Sequence, residues 1–200
     1  MNYDFIEIGT SNFDTYIQNA TNQSIGISVE PIFDYLNQLP DKPFVKKLNC
    51  AVSKNNIEET LEVFFVPENI IQEHNLPWYI KGCNAVGDYH KQHNWLNITH
   101  LVEKRLIKAI PISKLFTDNN VTSCSVLKID TEGSDSDILL HLVEFLKSQD
   151  KSVYPKKIIF ESNVLTPKEK VDNAVNACLN IGYKIENYIY PQDNSILVLN

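Results

Sequence analysis

The first fifty residues alternate between short apolar runs and amphipathic stretches. An apolar run at residues 5–8 ends at Gly9, as expected for a buried strand followed by a glycine turn. Ser11 and Asp14 have the spacing of a capping box, which predicts a helix over about residues 13–20. The following pattern predicts a strand at 24–30, a helix from Pro31 to about residue 39, and a strand at 44–53.

The alternation breaks in the next part of the chain. A strand is predicted at 60–66, but residues 68–95 show little periodicity and are rich in Asn, His, Gly and aromatic residues. Leucines at positions 96, 101 and 106 predict a helix over 96–108, followed by a short strand at 109–112. Long irregular stretches inside a compact domain are usually functional. We therefore predict an insertion at about residues 57–110, lying over one edge of the sheet.

Regular alternation returns in the last third of the chain. A capping pair, Ser134 with Asp137, predicts one helix start, and the run Thr166-Pro167-Lys168-Glu169 predicts another. Strands are predicted at 124–130, 157–161, 183–190 and 195–199, the last two joined as a hairpin through 191–194.

These elements predict one α/β domain over residues 1–200. Successive β-α-β units give a doubly wound, mostly parallel sheet with helices on both faces. The closing hairpin adds an antiparallel C-terminal edge.

Charge and cysteine content narrow the class of protein. The 200 residues carry a formal net charge of −7, which disfavours nucleic acid as a partner. The four cysteines are far apart and form no C-x-x-C pair, so we expect reduced thiols in a cytoplasmic protein.

No apolar run approaches the ~20 residues that a membrane span needs, and we expect no membrane partner.

Carboxylates recur where the predicted parallel strands end. Ligands of open α/β sheets bind outside the carboxyl ends of the strands. Four of the five predicted strand ends carry an acid; those acids are Glu7, Glu30, the pair Asp130 and Glu132, and Glu161.

The spacing of Glu30 predicts a nucleoside-containing cofactor. Glu30 lies 21 residues after Gly9, close to the ~20-residue distance at which an acid binds ribose hydroxyls. A dinucleotide would also need further glycines beside its pyrophosphate, but Thr10 to Phe13 contain none, and Asp14 adds a negative charge. S-adenosyl-L-methionine has no phosphate and carries a sulfonium and an ammonium group, so acidic neighbours favour it over NAD.

Several segments together resemble the FkbM-type methyltransferases of the class I S-adenosylmethionine-dependent fold. They are Phe5-Ile-Glu-Ile-Gly-Thr-Ser-Asn-Phe-Asp14, Ser28-Val-Glu-Pro31, Asn49-Cys-Ala-Val-Ser53, Lys128-Ile-Asp-Thr-Glu-Gly133 and Ile158-Ile-Phe-Glu161. The resemblance implies a seven-stranded sheet of order 3-2-1-4-5-7-6 and, usually, O-methylation of a hydroxyl.

The resemblance also implies roles for individual residues. Glu7 and Gly9 resemble the first cofactor motif, with Ser11 in the same loop, and Glu30 resembles the ribose-binding acid. Ala51 and Val52 resemble the adenine wall, and Asp130 and Glu132 the acids that line the cofactor and the substrate. Family members often have a second glycine where this chain has Phe13, so a catalytically degenerate binding or scaffold protein is an alternative.

A hydroxyl acceptor must lose its proton, and two groups of residues could assist. One is the insertion, where His90 and His93, and further away His74, could supply a base or could simply be surface histidines. The other is a divalent cation held by Asp130, Glu161 and Asn163, although acids at these strand ends are also expected merely to cap the following helices, and our prediction includes no metal.

The sequence thus favours an S-adenosylmethionine-dependent O-methyltransferase. Its acceptor would be a small molecule or carbohydrate with a hydroxyl group, and its oligomeric state is not predicted. Four aromatic residues of the insertion could line an acceptor pocket or form the insertion's own small core; these are Trp78, Tyr79, Tyr89 and Trp95. The alternatives are the degenerate binding protein and an NAD-dependent oxidoreductase.

Overall fold

The computed structural model describes residues 1–192 and 194–200. Asp193, in the predicted hairpin connection, lies outside the described residues. Within the described part of the chain, no helix is both long enough and apolar enough to cross a membrane.

Seven strands form the main sheet, in the spatial order β10-β11-β9-β8-β1-β2-β3. The five strands from β9 to β3 are parallel to one another, whereas β11 runs antiparallel to β9 and β10 runs antiparallel to β11. The strands of this sheet are β1 (Asn2–Ile8), β2 (Gly26–Val29), β3 (Val45–Leu48), β8 (Ser123–Ile129), β9 (Pro155–Glu161), β10 (Tyr183–Asn187) and β11 (Asn194–Leu199).

A second sheet of four strands has the order β4-β7-β5-β6. Its strands are β4 (Ala51–Val52), β5 (Glu59–Phe65), β6 (Ala85–Val86) and β7 (Glu103–Ile110). In chain numbering the main sheet therefore reads 3-2-1-8-9-11-10 rather than the 3-2-1-4-5-7-6 implied by the resemblance, because these four strands lie between β3 and β8. The mixed α/β class and the seven-stranded sheet are confirmed.

Helices cover both faces of the main sheet. The apolar residues of α5, α6 and α7 share one core cluster with Ile6, Ile8, Leu127 and Ile129. Phe5 packs on the other face with residues of α1 and α2. The α-helices are α1 (Tyr16–Asn19), α2 (Phe33–Gln38), α3 (Glu68–Glu73), α4 (Lys91–Trp95), α5 (Ile112–Asp118), α6 (Asp135–Leu146) and α7 (Lys168–Asn180).

One predicted helix start is wrong, and at a second helix the start is confirmed but the predicted side-chain cap is not made. Ser11 and Asp14 have φ angles of 47° and 52°, which a right-handed helix excludes, so α1 begins only at Tyr16. The Gln18 side chain instead accepts the backbone N–H of Thr15 at 3.2 Å. At α6, Ser134 precedes the helix but its side chain makes no capping hydrogen bond.

Three further predictions fail between residues 44 and 118. The predicted strand at 44–53 is two strands, β3 and β4, which belong to different sheets. The predicted helix at 96–108 is wrong, because most of its second half lies in β7. The strand predicted at 109–112 covers the end of β7 and the start of α5. Helix α5 itself is missing from the prediction.

Register places the ends of four parallel strands at one level. Ile8 of β1 pairs with Val29 of β2 and with Ile129 of β8, and Ile129 pairs with Phe160 of β9. The next residues along each strand are Gly9, Glu30, Asp130 and Glu161. The acids predicted at separate strand ends thus meet at one edge.

Candidate functional site

A cavity opens at this edge, between the main sheet and the second sheet. It encloses about 840 Å³ of empty space, including the part that opens to solvent. Seven of the predicted site residues are among those that line it: Gly9, Ser11, Glu30, Ala51, Val52, Asp130 and Glu132.

Gly9 lets the chain turn closely against the end of β8. Its φ angle is +80°, and a Cβ atom built on it would lie 1.7 Å from the backbone carbonyl oxygen of Asp130. A side chain is therefore excluded both by conformation and by space. This turn sends the loop of residues 10–14 along the cavity wall.

Glu30 is buried at the base of the cavity, with 2% of its surface exposed. Its Oε2 accepts the backbone N–H of Ser11 at 2.6 Å, and its Oε1 accepts that of Ile32 at 2.8 Å. Burial raises the pKa of Glu30 to about 7, against the effect of these two hydrogen bonds. A carboxylate has about four acceptor sites, more than its backbone partners here occupy, so the group can still accept a hydroxyl of a ligand.

Glu7 lies behind the cavity and is not among its lining residues. It stands opposite Lys128 in the register of β1 and β8, and its Oε1 is 3.3 Å from Lys128 Nζ. Its Oε2 accepts the backbone N–H of Tyr16 at 2.9 Å. Its part in cofactor binding stays a prediction, and in this structure Glu7 anchors the start of α1 to the sheet.

Lys128 joins Glu7 to the cavity. Its ammonium nitrogen also lies 3.4 Å from Asp130 Oδ2. Burial disfavours the charged form of Lys128, but the carboxylates of Asp130 and Glu7 outweigh this effect and raise its pKa. Burial raises the pKa of Glu7 to about 7, and the positive charge of Lys128 opposes that shift.

The second sheet supplies the opposite wall. Ala51 and Val52 of β4 line the cavity together with Glu30. Gly82 and Asn84 approach from the insertion. The Ser11 hydroxyl donates to the backbone carbonyl of Lys81 at 3.1 Å, which ties the loop after β1 to this segment.

Three carboxylates form an acidic cluster at the other end of the cavity. Oxygen atoms of Asp130, Glu132 and Glu161 all lie within 4.8 Å of one another, a spacing at which they could hold a divalent cation or an organic ammonium group. Asn163, the third ligand suggested by the sequence, donates through Nδ2 to Glu161 Oε1 and accepts the backbone N–H of Leu165 through Oδ1. Burial, followed by mutual repulsion of the acids, raises the pKa values of Glu132 and Glu161.

His90 contacts this cluster from the insertion. Its Nδ1 accepts the backbone N–H of Gln92 at 3.2 Å, so in the neutral ring the proton is on Nε2. That nitrogen lies 3.0 Å from Glu132 Oε2, although the pair falls outside the geometry of a good hydrogen bond. Burial lowers the pKa of His90 to about 4.

His93 is further from the cavity. It is fully buried, and its ring lies 5.8 Å from that of His90, measured between centroids. The two histidines are therefore inside the insertion rather than on its surface. His90 is the one of the pair that touches a residue lining the cavity.

Asp135 has a role in the site that the sequence did not reveal. It is fully buried and accepts hydrogen bonds from the backbone of Thr131 and Gly133 and from the Thr131 hydroxyl, the last at 3.0 Å. It thus fixes the loop that carries Glu132, which has a φ angle of +55°. The sequence does show that Asp135 lies near a predicted helix start. However, acids are common in the first turn of any helix, so its position alone did not indicate a role in the site.

The aromatic residues of the insertion divide between two roles. Tyr89 packs on Phe64 within the insertion, at a centroid distance of 5.0 Å. Trp78 instead packs edge-on against Phe13, which lines the cavity, at 5.4 Å. Trp95 is largely exposed and is not among the residues that line this cavity.

Comparison with known proteins gives one match. The sequence model of a family described as the methyltransferase FkbM domain matches residues 7–188. Searches of curated proteins and of solved structures found no match. The match covers most of the chain, from the strand that carries Glu7 to the region after β10. The chain belongs to the FkbM methyltransferase domain family.

Proposed function

We propose that this methyltransferase uses S-adenosyl-L-methionine to methylate a hydroxyl group of a small molecule or carbohydrate. The observation that carries the proposal is Glu30, a buried acid that lines the cavity level with the Gly9 turn. Its free lone pairs suit ribose hydroxyls, and Ala51 and Val52 beside it suit an adenine ring. The cofactor, when bound, supplies an electrophilic methyl group on a sulfonium.

The acidic cluster supports a cationic rather than an anionic cofactor. Asp130, Glu132 and Glu161 would attract an ammonium or sulfonium group and repel a phosphate. The backbone N–H of Ser11, which a pyrophosphate would need, is already donated to Glu30. Asp14 precedes α1 and does not lie in its first turn, as the sequence had suggested. It nevertheless lines the cavity, where its negative charge would repel the pyrophosphate of NAD.

Glu132, with His90 behind it, is the candidate general base. Glu132 lines the cavity. Its raised pKa favours the protonated form in the free protein, but the positive charge of the bound cofactor would favour the carboxylate, which could then accept the proton of an acceptor hydroxyl while that oxygen attacks the methyl carbon. His90 contacts the Glu132 side chain, with Nε2 3.0 Å from Oε2. Asp130, paired with Lys128, would help to hold the cofactor.

Transfer of a labelled methyl group to a panel of hydroxylated acceptors tests the chemistry. We expect incorporation into hydroxyl compounds, a loss of about 10²–10⁴-fold in kcat for Glu132→Gln, and a much smaller loss in affinity for S-adenosylhomocysteine, because Asp130 and Glu161 remain. Full activity of Glu132→Gln would remove Glu132 from the mechanism. Cofactor binding without any transfer would instead favour the degenerate binding protein that Phe13 suggests.

A chelator decides whether the acidic cluster acts through a metal. If Asp130, Glu132 and Glu161 hold a catalytic cation, EDTA abolishes transfer and added Mg²⁺ or Mn²⁺ restores it. Full activity in EDTA would limit the role of the cluster to cofactor binding and proton transfer.

The remaining parts of the proposal concern location and partners. The protein would act in the cytoplasm, which the free thiols of all four cysteines support. Its acidic net charge supports a small-molecule or carbohydrate acceptor rather than a nucleic acid.

A further inference from the structure

A second cavity lies beside the first, on the insertion. It encloses about 800 Å³ of empty space, including the part open to solvent, and lies between α3 and the 3₁₀ helix Trp78–Gly82. Polar side chains on its rim are Glu68, Gln72 and Asn75 from the region of α3, with Lys81 on the facing segment. Trp78, Ile71 and Leu76 supply apolar surface.

Trp78 connects the two cavities. Its side chain is 66% exposed, although burying an aromatic ring of this size is normally favourable. The indole packs in T-shaped contacts against Phe13, which lines the cofactor cavity, and against Tyr79. Lys81 Nζ lies 5.0 Å from the centre of the Phe13 ring. Because Trp78 is two-thirds exposed despite these contacts, indole surface remains available to a ligand next to the cofactor cavity.

We propose that this second cavity is a subsite for an uncharged sugar ring of the methyl acceptor, stacked on Trp78. The C–H face of a sugar ring packs on an aromatic face, and its hydroxyls both donate and accept hydrogen bonds. Gln72 and Asn75 offer amide groups of both kinds, while Glu68 and Lys81 carry opposite charges that cancel. This lining suits a neutral polyol better than an anion, a cation or a wholly apolar group. The inference rests on the proposed function, because the neighbouring cavity must hold the methyl donor.

The two tryptophans of the chain provide a matched pair for the test. Trp95 is also 66% exposed but lines neither cavity. In a ¹⁵N-labelled protein the two indole N–H signals can be followed separately, and Trp95→Phe assigns them. Maltose, cellobiose and lactose are titrated with and without saturating S-adenosylhomocysteine, and sorbitol serves as an acyclic polyol control.

We expect the sugars, and not sorbitol, to shift the Trp78 signal while the Trp95 signal stays in place. Trp78→Ala should weaken sugar binding at least about tenfold, Trp78→Phe less, and Trp95→Ala not measurably. Equal shifts of both indole signals, an equal effect of sorbitol, or no shift with any sugar would overturn the subsite. Affinity for S-adenosylhomocysteine is measured on the same samples, so failure of the cofactor proposal is seen separately from failure of the subsite.

Discussion

At the scale of single residues, the site depends on positions where the surrounding structure restricts which side chain can be present. Gly9 and Glu30 are the clearest examples, since the first touches the backbone of β8 and the second is buried with both carboxylate oxygens engaged. Both residues could be predicted from the sequence, because a glycine turn after a strand, followed by an acid about 20 residues later, is typical of a nucleoside-binding α/β fold.

The first prediction concerns Gly9. Gly9→Ala should destabilise the protein by several kcal/mol, because its methyl group would overlap the Asp130 carbonyl as well as requiring a positive φ angle. Gly87→Ala is the matched control: Gly87 has a φ angle of +85°, but a Cβ atom built there would have no atom within 4 Å, so we expect a loss of about 1 kcal/mol. Urea unfolding measures both, and equal losses would contradict the close approach.

The second prediction concerns the protonation of Glu30. Ribose hydroxyls donate to the ionised carboxylate, whereas burial raises the pKa of the free protein's Glu30 to about 7. Below that pH, binding must release a proton, so affinity for S-adenosylhomocysteine should fall by up to about tenfold per pH unit and should level off above pH 7. Calorimetry between pH 5.5 and 8.5 measures this, and Glu30→Gln should flatten the dependence. A steep dependence that persists in Glu30→Gln would assign the titration to another group.

At the scale of secondary structure, the register of the strands builds the site. Glu7 and Lys128 are 121 residues apart in the chain and face each other because β1 and β8 are parallel neighbours in the sheet. The sequence alone could not predict this pair, because the pairing depends on the register of the two strands. The sequence-based prediction therefore gave Glu7 a role in cofactor binding only.

The third prediction tests this pair. Lys128→Met should cost about 3–5 kcal/mol of stability, because it leaves Glu7 buried without its positive partner. Glu7→Gln in the same chain should recover part of that loss, since Gln can still accept the Tyr16 N–H that Glu7 binds. Chemical denaturation of the single and double variants forms a cycle. Additive losses would show that the two side chains are not coupled.

Elements of the insertion were predicted less well than those of the main sheet. The leucines at 96, 101 and 106 have a spacing that fits a helix, but Leu106 is 72% exposed in β7 and so reports no buried face. Periodicity predicts an element only when it reflects burial. The left-handed residues Ser11 and Asp14 failed for a related reason, because their polar side chains match a capping pattern that the backbone does not adopt.

At the scale of the whole molecule, two sheets cooperate in one cavity. The main sheet supplies the acids Glu30 and Asp130, whereas the second sheet supplies Ala51 and Val52, and the insertion brings His90 to Glu132. The acids could be predicted because parallel strands end at a common edge. The contact between His90 and Glu132 could not, because it joins the insertion to the main sheet and depends on how both fold.

Titration of S-adenosylhomocysteine into the protein at pH 8 tests the central claim most directly. We expect saturable binding of one molecule per chain, no comparable binding of NAD, and a loss of at least about tenfold in affinity for Glu30→Ala. Circular dichroism of the variant confirms that it is folded. Absence of heat with S-adenosylhomocysteine, or unchanged affinity in a folded Glu30→Ala variant, would contradict the proposed cofactor site.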